Sequence, residues 1–110
     1  MSARLPAHFE VAAMIRRIEA AGGFAAVLKR GEREAGTILV IATERGGKAR
    51  VFERMPDLEG GRKWHCSIIQ DTENKSKIDE YLKRRSDQDA DLWIVELDIA
   101  NGERFIGLTV

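Results

Sequence analysis

Thr37-Ile38-Leu39-Val40-Ile41-Ala42-Thr43 is apolar on both of the faces that an extended chain presents. A strand with one wet face alternates apolar and polar residues. A run that is apolar on both faces belongs in the middle of a sheet, either covered on both sides or lying at an interface. The run is too short to cross a bilayer, which takes about 20 apolar residues in a helix. It is therefore expected to be the heart of the sheet, and the rest of the chain can be read outward from it.

Upstream, Phe24 to Lys29 is short and apolar with a β-branched Val27, and Gly31 and Gly36 bracket the polar Glu32-Arg33-Glu34. This reads as a first strand joined to the central run by a hairpin loop. Before it, Val11, Met14, Ile15 and Ile18 fall at i, i+3, i+4 and i+7 on one helical face. Pro6 suits the first turn of that helix, and Gly22-Gly23 can take the left-handed conformation that ends it near Ala21.

Downstream, Arg45-Gly46-Gly47-Lys48 is a turn into a half-exposed strand, Ala49 to Arg54, which the loop Met55 to Gly61 breaks. In the next segment Trp64, Cys66 and Ile68 alternate with Lys63, His65 and Ser67, the pattern of a fourth strand with the first set turned inward. Asp71 or Thr72 can cap a second helix whose narrow apolar stripe is Ile78, Tyr81 and Leu82 and whose last turns carry Lys83, Arg84 and Arg85. Leu92 to Asp98 is rich in strand formers. Asn101-Gly102 suits a type I′ turn, and Arg104 to Val110 can fold back as a sixth strand. The expected architecture is a single α+β domain over residues 1–110 in the order α-β-β-β-β-α-β-β, a mostly antiparallel sheet with two helices packed on one face.

Composition narrows the function classes. The 110 residues are 44% apolar, and 18 Lys and Arg balance 18 Asp and Glu, which favours one folded domain over disorder. A chain with no net basic excess lacks the charge that a non-specific nucleic-acid binder uses to displace counterions from phosphates. The N-terminus shows no secretory h-region. Cys66 alone makes no internal disulfide and no zinc site, so a reducing cytoplasm is the expected location and membrane association is not expected.

Three stretches together resemble a known family: Ile15-Arg16-Arg17-Ile18-Glu19-Ala20-Ala21-Gly22, Lys29-Arg30-Gly31 with Ala35-Gly36-Thr37-Ile38-Leu39-Val40, and Asp89-Ala90-Asp91-Leu92-Trp93-Ile94-Val95-Glu96. They are similar to short alphaproteobacterial proteins grouped as domain of unknown function 1491, over roughly residues 4–106. The family often has Asp-Pro-Asp where this chain has Asp89-Ala90-Asp91, which implies a less rigid entry into the following strand. The resemblance implies a single-domain bacterial cytosolic protein. It carries over no activity and no catalytic residue.

No catalytic, cofactor or metal motif stands out. His65 and Cys66 are adjacent, but neighbours on a strand point to opposite faces, so this His cannot activate this thiol; Cys66 is expected to be a small core residue and His65 a surface one. Asp87, Asp89 and Asp91 repeat like the start of a calcium loop, but Leu92 stands where that loop needs its Gly. Such a run more often bonds nearby backbone amides. The binding candidates are Arg16, Arg17 and Arg30 in the locally basic first third, with Trp64 as a stacking platform and His65 beside it.

The reading that follows is a non-enzymatic binding or protein-interaction module. A small enzyme or ligand-binding protein, with a pocket between sheet and helices lined by His8, His65 or Cys66, is the first alternative. A nucleic-acid module using the basic N-terminal third is the second. Two helices on one face would leave the other apolar face bare, so a homodimer is expected, with cover by the Met55–Gly61 loop as the alternative.

Overall fold

The computed structural model describes residues 5–56, 62–69 and 75–108. In chain order it contains α1 (Ala7–Ala20), β1 (Phe24–Lys29), β2 (Ile38–Glu44), β3 (Gly47–Pro56), β4 (Arg62–Ile69), α2 (Lys75–Gln88), β5 (Trp93–Asp98) and a 3-10 helix (Gly102–Leu108). The fold is α+β. The loop beyond Pro56 and the proposed caps Asp71 and Thr72 lie outside the described residues.

β2 occupies the middle of a five-stranded sheet of order β1-β5-β2-β3-β4, and Ile38 through Thr43 are all buried. The sheet is mixed, because β2 and β5 run parallel while the other three pairs are antiparallel. β1 and β2 are therefore not a hairpin, since β5 lies between them. The segment joining β1 to β2 crosses the entry of β5. A Cβ on Gly31 or Gly36 would be driven into the Asp91 carbonyl and the Trp93 ring. These glycines serve that close crossing and not a hairpin turn. The same segment caps the first helix: the Pro6 ring carries no hydrogen-bonding group, and the first free amides of α1, on Ala7 and His8, donate to the Glu34 and Arg33 carbonyls at 2.9 Å. At its other end α1 closes in a Schellman motif, with Gly23 N–H donating to Ile18 O (2.9 Å) and Gly22 N–H, at φ 87°, to Glu19 O (3.1 Å).

The helices lie on opposite faces of the sheet, contrary to the expectation that both share one. Val11, Met14 and Ile18 of α1 pack with Ile38, Val40, Trp93, Val95 and Leu97. Ile78 of α2 packs with Leu39, Ile41, Val51, Leu92 and Ile94 on the other side, with Tyr81 and Leu82 at the margin. Two central strands that are apolar on both faces need cover on both, and one helix goes to each. The bare second face that argued for a dimer therefore does not exist across β2.

Among the described residues there is also no sixth strand: Gly102–Leu108 is a 3-10 helix. β5 already has β1 on one edge and β2 on the other, so a returning segment finds no edge to pair with. It winds instead and adds Phe105 and Ile106 to the α1-side core. The paired positive φ values of a type I′ turn occur at Arg45 (53°) and Gly46 (78°), between β2 and β3, and at Asn101-Gly102 only Asn101 is positive.

Cys66 is exposed, which corrects its assignment to the core. It lies on the edge strand β4, outside both core clusters, and β4 is also bulged. Trp64 faces Arg54 and Cys66 faces Phe52, but the register then shifts so that Ile68 faces Val51 and packs in the α2-side cluster. One extra residue in β4 thus sends Trp64 and Ile68 to opposite faces.

Candidate functional site

Because β2 and β5 are parallel, they end side by side, at Glu44 and Asp98. Beyond their carboxyl ends lies an open crevice of about 780 Å³. This is where sheets with parallel strands most often receive ligands. Gly22, Gly23 and Phe24, between α1 and β1, make one wall; Arg45 and Lys48, around the β2–β3 turn, make another; Asp98, Ile99 and Ala100 form the base.

The two carboxylates here hold backbone. Asp98 Oδ1 accepts the Arg45 N–H at 2.7 Å and Oδ2 accepts the Gly46 N–H at 3.1 Å, so β5 pins the β2–β3 turn. Glu44 Oε2 accepts the Asn101 N–H at 3.1 Å and ties the segment after β5 to β2. Arg45, Lys48 and Asn101 are the non-glycine residues with positive φ among those described, at 53°, 51° and 55°. Each costs on the order of 1 kcal/mol against an ordinary conformation, and such residues gather at functional sites. The Arg45 and Lys48 side chains have no ion-pair partner among the described residues.

A second groove, about 420 Å³, runs between α2 and the sheet and is lined by Leu28, Ile41, Thr43 and Glu96 opposite Ile78 and Leu82. None of His8, His65 and Cys66 lines either cavity. Among the described residues no group of His, Cys, Asp and Glu could hold a metal ion.

The most perturbed titratable groups lie elsewhere, in a cluster that fastens α2 to β3. Buried Glu53 accepts hydrogen bonds from Tyr81 Oη, Ser67 Oγ (3.0 Å) and Arg85 Nε (2.8 Å). Burial by itself pushes the Glu53 carboxyl up, but the bonds from Tyr81, Arg85 and Ser67 with the Arg85 charge outweigh it and hold the group below the usual range. Burial and the Glu53 carboxylate push the Tyr81 phenol up. Neither cavity is lined by Glu53, Tyr81 or Arg85, so the cluster is a structural tie.

Residues 5–107 match the model of the family described as protein of unknown function DUF1491. The chain belongs to this family. Among solved structures, a DUF1491 family protein from Caulobacter crescentus CB15 is similar at a TM-score of 0.81 and 36% identity, covering 93% of this chain and 94% of that one. An NMR structure of a DUF1491 family protein from the same organism gives 0.80 and 35%, with 94% of each chain covered. The solution structure of protein Atu0922 from A. tumefaciens gives 0.75 and 32%, covering 90% of this chain and 89% of that one. No curated protein matches the chain.

In this DUF1491 fold the residues singled out from sequence do not converge. Arg16 is exposed on α1, whereas Arg17 is half-buried and its Nη1 has no hydrogen-bond partner among the described residues. Arg30 follows β1 and lies 5.9 Å from the centre of the Trp93 ring. Trp64 is half-buried with the Arg54 guanidinium 5.1 Å from its ring centre, so its face is already occupied. His65 is exposed on β4. β1 and β4 are opposite edges of the sheet, four strand spacings or about 19 Å apart. The Asp run behaves as expected of a connection, with Asp89 Oδ1 accepting the Asp91 N–H at 3.0 Å.

Sequence reasoning missed Arg45, Lys48 and Asp98. The local signal, a charged residue on each side of Gly46-Gly47, reads only as a turn. Its meaning depends on the end of β5 arriving beside it. Among the described residues, no helix is long and apolar enough to cross a membrane.

Proposed function

We propose that this protein is a non-enzymatic interaction module that self-associates, a second copy of the chain pairing along β1. The observation that carries this reading is the state of that strand. Among the described residues β1 pairs with β5 on one side only, and its other edge offers backbone groups that no strand takes up. Phe24 and Leu28, on the α2 side of the sheet, are 63% and 52% exposed, Leu28 at the rim of the groove beside α2, and Val27 is exposed on the opposite side. Proteins usually guard such an edge with charge, proline or a bulge. Here the guards are confined to the end of the strand: a bulge falls between Val27 and Lys29, and the Lys29 ammonium is turned back onto the Ala90 and Leu92 carbonyls at 2.9 Å. Phe24 to Val27 is left regular and unguarded. An antiparallel copy related by a two-fold near Ala25 would pair Phe24 of one protomer with Ala26 of the other inside that regular stretch, and set both exposed Phe24 rings on the same side of a continuous sheet.

A cytoplasmic setting belongs to the same reading, supported by an unpaired, exposed thiol at Cys66. The nucleic-acid alternative draws no support from the scattered positions of Arg30, Trp64 and His65.

Sedimentation equilibrium at micromolar concentration tests the reading. The expected species has twice the 12.3 kDa chain mass. Phe24→Lys with Leu28→Lys should return it to the single-chain mass with a native circular dichroism spectrum, since both side chains are exposed within one chain. A wild-type protein that sediments only as a single chain overturns the proposal.

A further inference from the structure

The crevice at the carboxyl ends of β2 and β5 holds two cations whose identity folding does not explain. Arg45 and Lys48 both sit in the left-handed region, at φ 53° and 51°, where glycine would be free of strain. Their neighbours Gly46 and Gly47 show that glycine is available in this turn. Neither side chain finds an ion-pair partner among the described residues, so the fold gains nothing evident from the charges it bears. Strain kept at a concave site, with unspent charge on it, points to a ligand.

The charges around the crevice say which kind. A simple anion would meet Arg45 and Lys48 but also the Asp98 and Glu44 carboxylates, and it would face the end of α1, where the helix dipole is negative. A simple cation would find those acceptors and be opposed by Arg45 and Lys48. Each carboxylate has lone pairs beyond those used by the Arg45, Gly46 and Asn101 amides, and so can still accept from an ammonium. Ile99 and Ala100 add apolar surface to the lining without drawing on β1. We propose that this crevice binds a small zwitterion with an apolar body, the chemistry of a free amino acid, its carboxylate held by Arg45 and Lys48 and its ammonium by Asp98 and Glu44. The volume of about 780 Å³ is within the usual range of small-molecule sites, about 300–1,000 Å³. The proposal does not rest on self-association, because the four charged residues lie outside β1.

The test is titration of the full ¹⁵N-labelled chain with L-phenylalanine and L-leucine, and in parallel with 3-phenylpropionate, which lacks the ammonium, and phenethylamine, which lacks the carboxylate. At least one amino acid is expected to shift the amides of Gly22, Arg45, Gly46 and Lys48 saturably, and more tightly than either singly charged analogue. Arg45→Gly with Lys48→Gly removes both cations while relaxing the backbone, and should weaken that binding at least about tenfold with no fall in melting temperature. The proposal is overturned if neither amino acid shifts these amides, if a singly charged analogue binds as tightly, or if the double variant binds undiminished.

Discussion

Glu53 and Arg54 are neighbours on β3, point to opposite faces and fasten a different helix on each, but they do so in different surroundings. Arg54 pairs with Glu10 of α1 at 2.7 Å, both side chains under 10% exposed at 7% and 5%, beneath the Trp64 ring. That pair sits beside a large apolar core, and Arg54 Nε and Trp64 Nε1 go without hydrogen-bond partners among the described residues. Glu53 instead gathers three side-chain donors from α2 and β4, while the apolar hold of α2 is limited to Ile78 with Tyr81 and Leu82. The α1 face is thus held by burial and tolerates an imperfect polar pair, whereas the α2 face depends on a polar network to seat its helix. Burial outweighs an unmade hydrogen bond of about 1–3 kcal/mol only where enough apolar area is removed from water.

The comparison breaks first, and with the largest effect, at Trp93. It is buried on the α1 side, its Nε1 donates to Glu32 O at 2.8 Å, and Trp93→Ala should cost about 3–5 kcal/mol in denaturant unfolding. An unchanged denaturation midpoint would mean that this face does not carry the fold. Glu10→Ala leaves the Arg54 guanidinium buried without its carboxylate and should cost about 3 kcal/mol, whereas replacing Glu10 and Arg54 together by apolar residues should recover most of that loss. If the double replacement is no better than the single one, the pair is more than a tolerated polar insertion.

Glu53→Gln should cost less, about 1–3 kcal/mol, and should speed hydrogen exchange in α2 before α1. It also sharpens the contrast through pH. The Glu53 carboxyl titrates in the folded chain below its ordinary value of 4.5, so its stabilisation is present above that pH and drains away as pH falls through the lowered value. The Tyr81 phenol is raised above 10.0, so its share holds below that pH and is lost as pH rises through the raised value. Wild type should therefore loosen α2 at both extremes, and the Gln variant should lose the Glu53 part of the acid limb. An acid limb identical in the two proteins would remove Glu53 from the account. Ser67→Ala takes away one donor from a three-donor carboxylate at an exposed position. It should cost no more than about 1 kcal/mol, read as a small shift in melting temperature.

Much of the local structure was legible in the chain. The i, i+3, i+4, i+7 spacing from Val11 to Ile18 and the Gly22-Gly23 stop locate α1 within a residue of its observed end. The apolar run of β2 reads correctly as the central strand, and Ile38 to Ile41 are buried as that reading requires. The site was not legible. Arg45 and Lys48 belong to a turn whose importance comes from Asp98, more than fifty residues away along the chain. The β4 pattern misled for a local reason, because alternation assumes an unbroken register and the bulge opposite Val51 and Phe52 breaks it.

What the sequence determined by itself is whatever depends on neighbours within a few residues: where helices start and stop, which strand is apolar on both faces, where the chain turns. Only the tertiary structure decided which strands are adjacent and which face each helix takes. β5 enters between β1 and β2 because hydrogen bonding along a strand edge accepts any extended partner, and local pattern does not name that partner. Once β5 is in place, the consequences are forced. Gly31 and Gly36 must let the crossing segment pass, the C-terminal segment finds no free edge on β5 and winds into a 3-10 helix, and the ends of β2 and β5 open the crevice that Arg45 and Lys48 line.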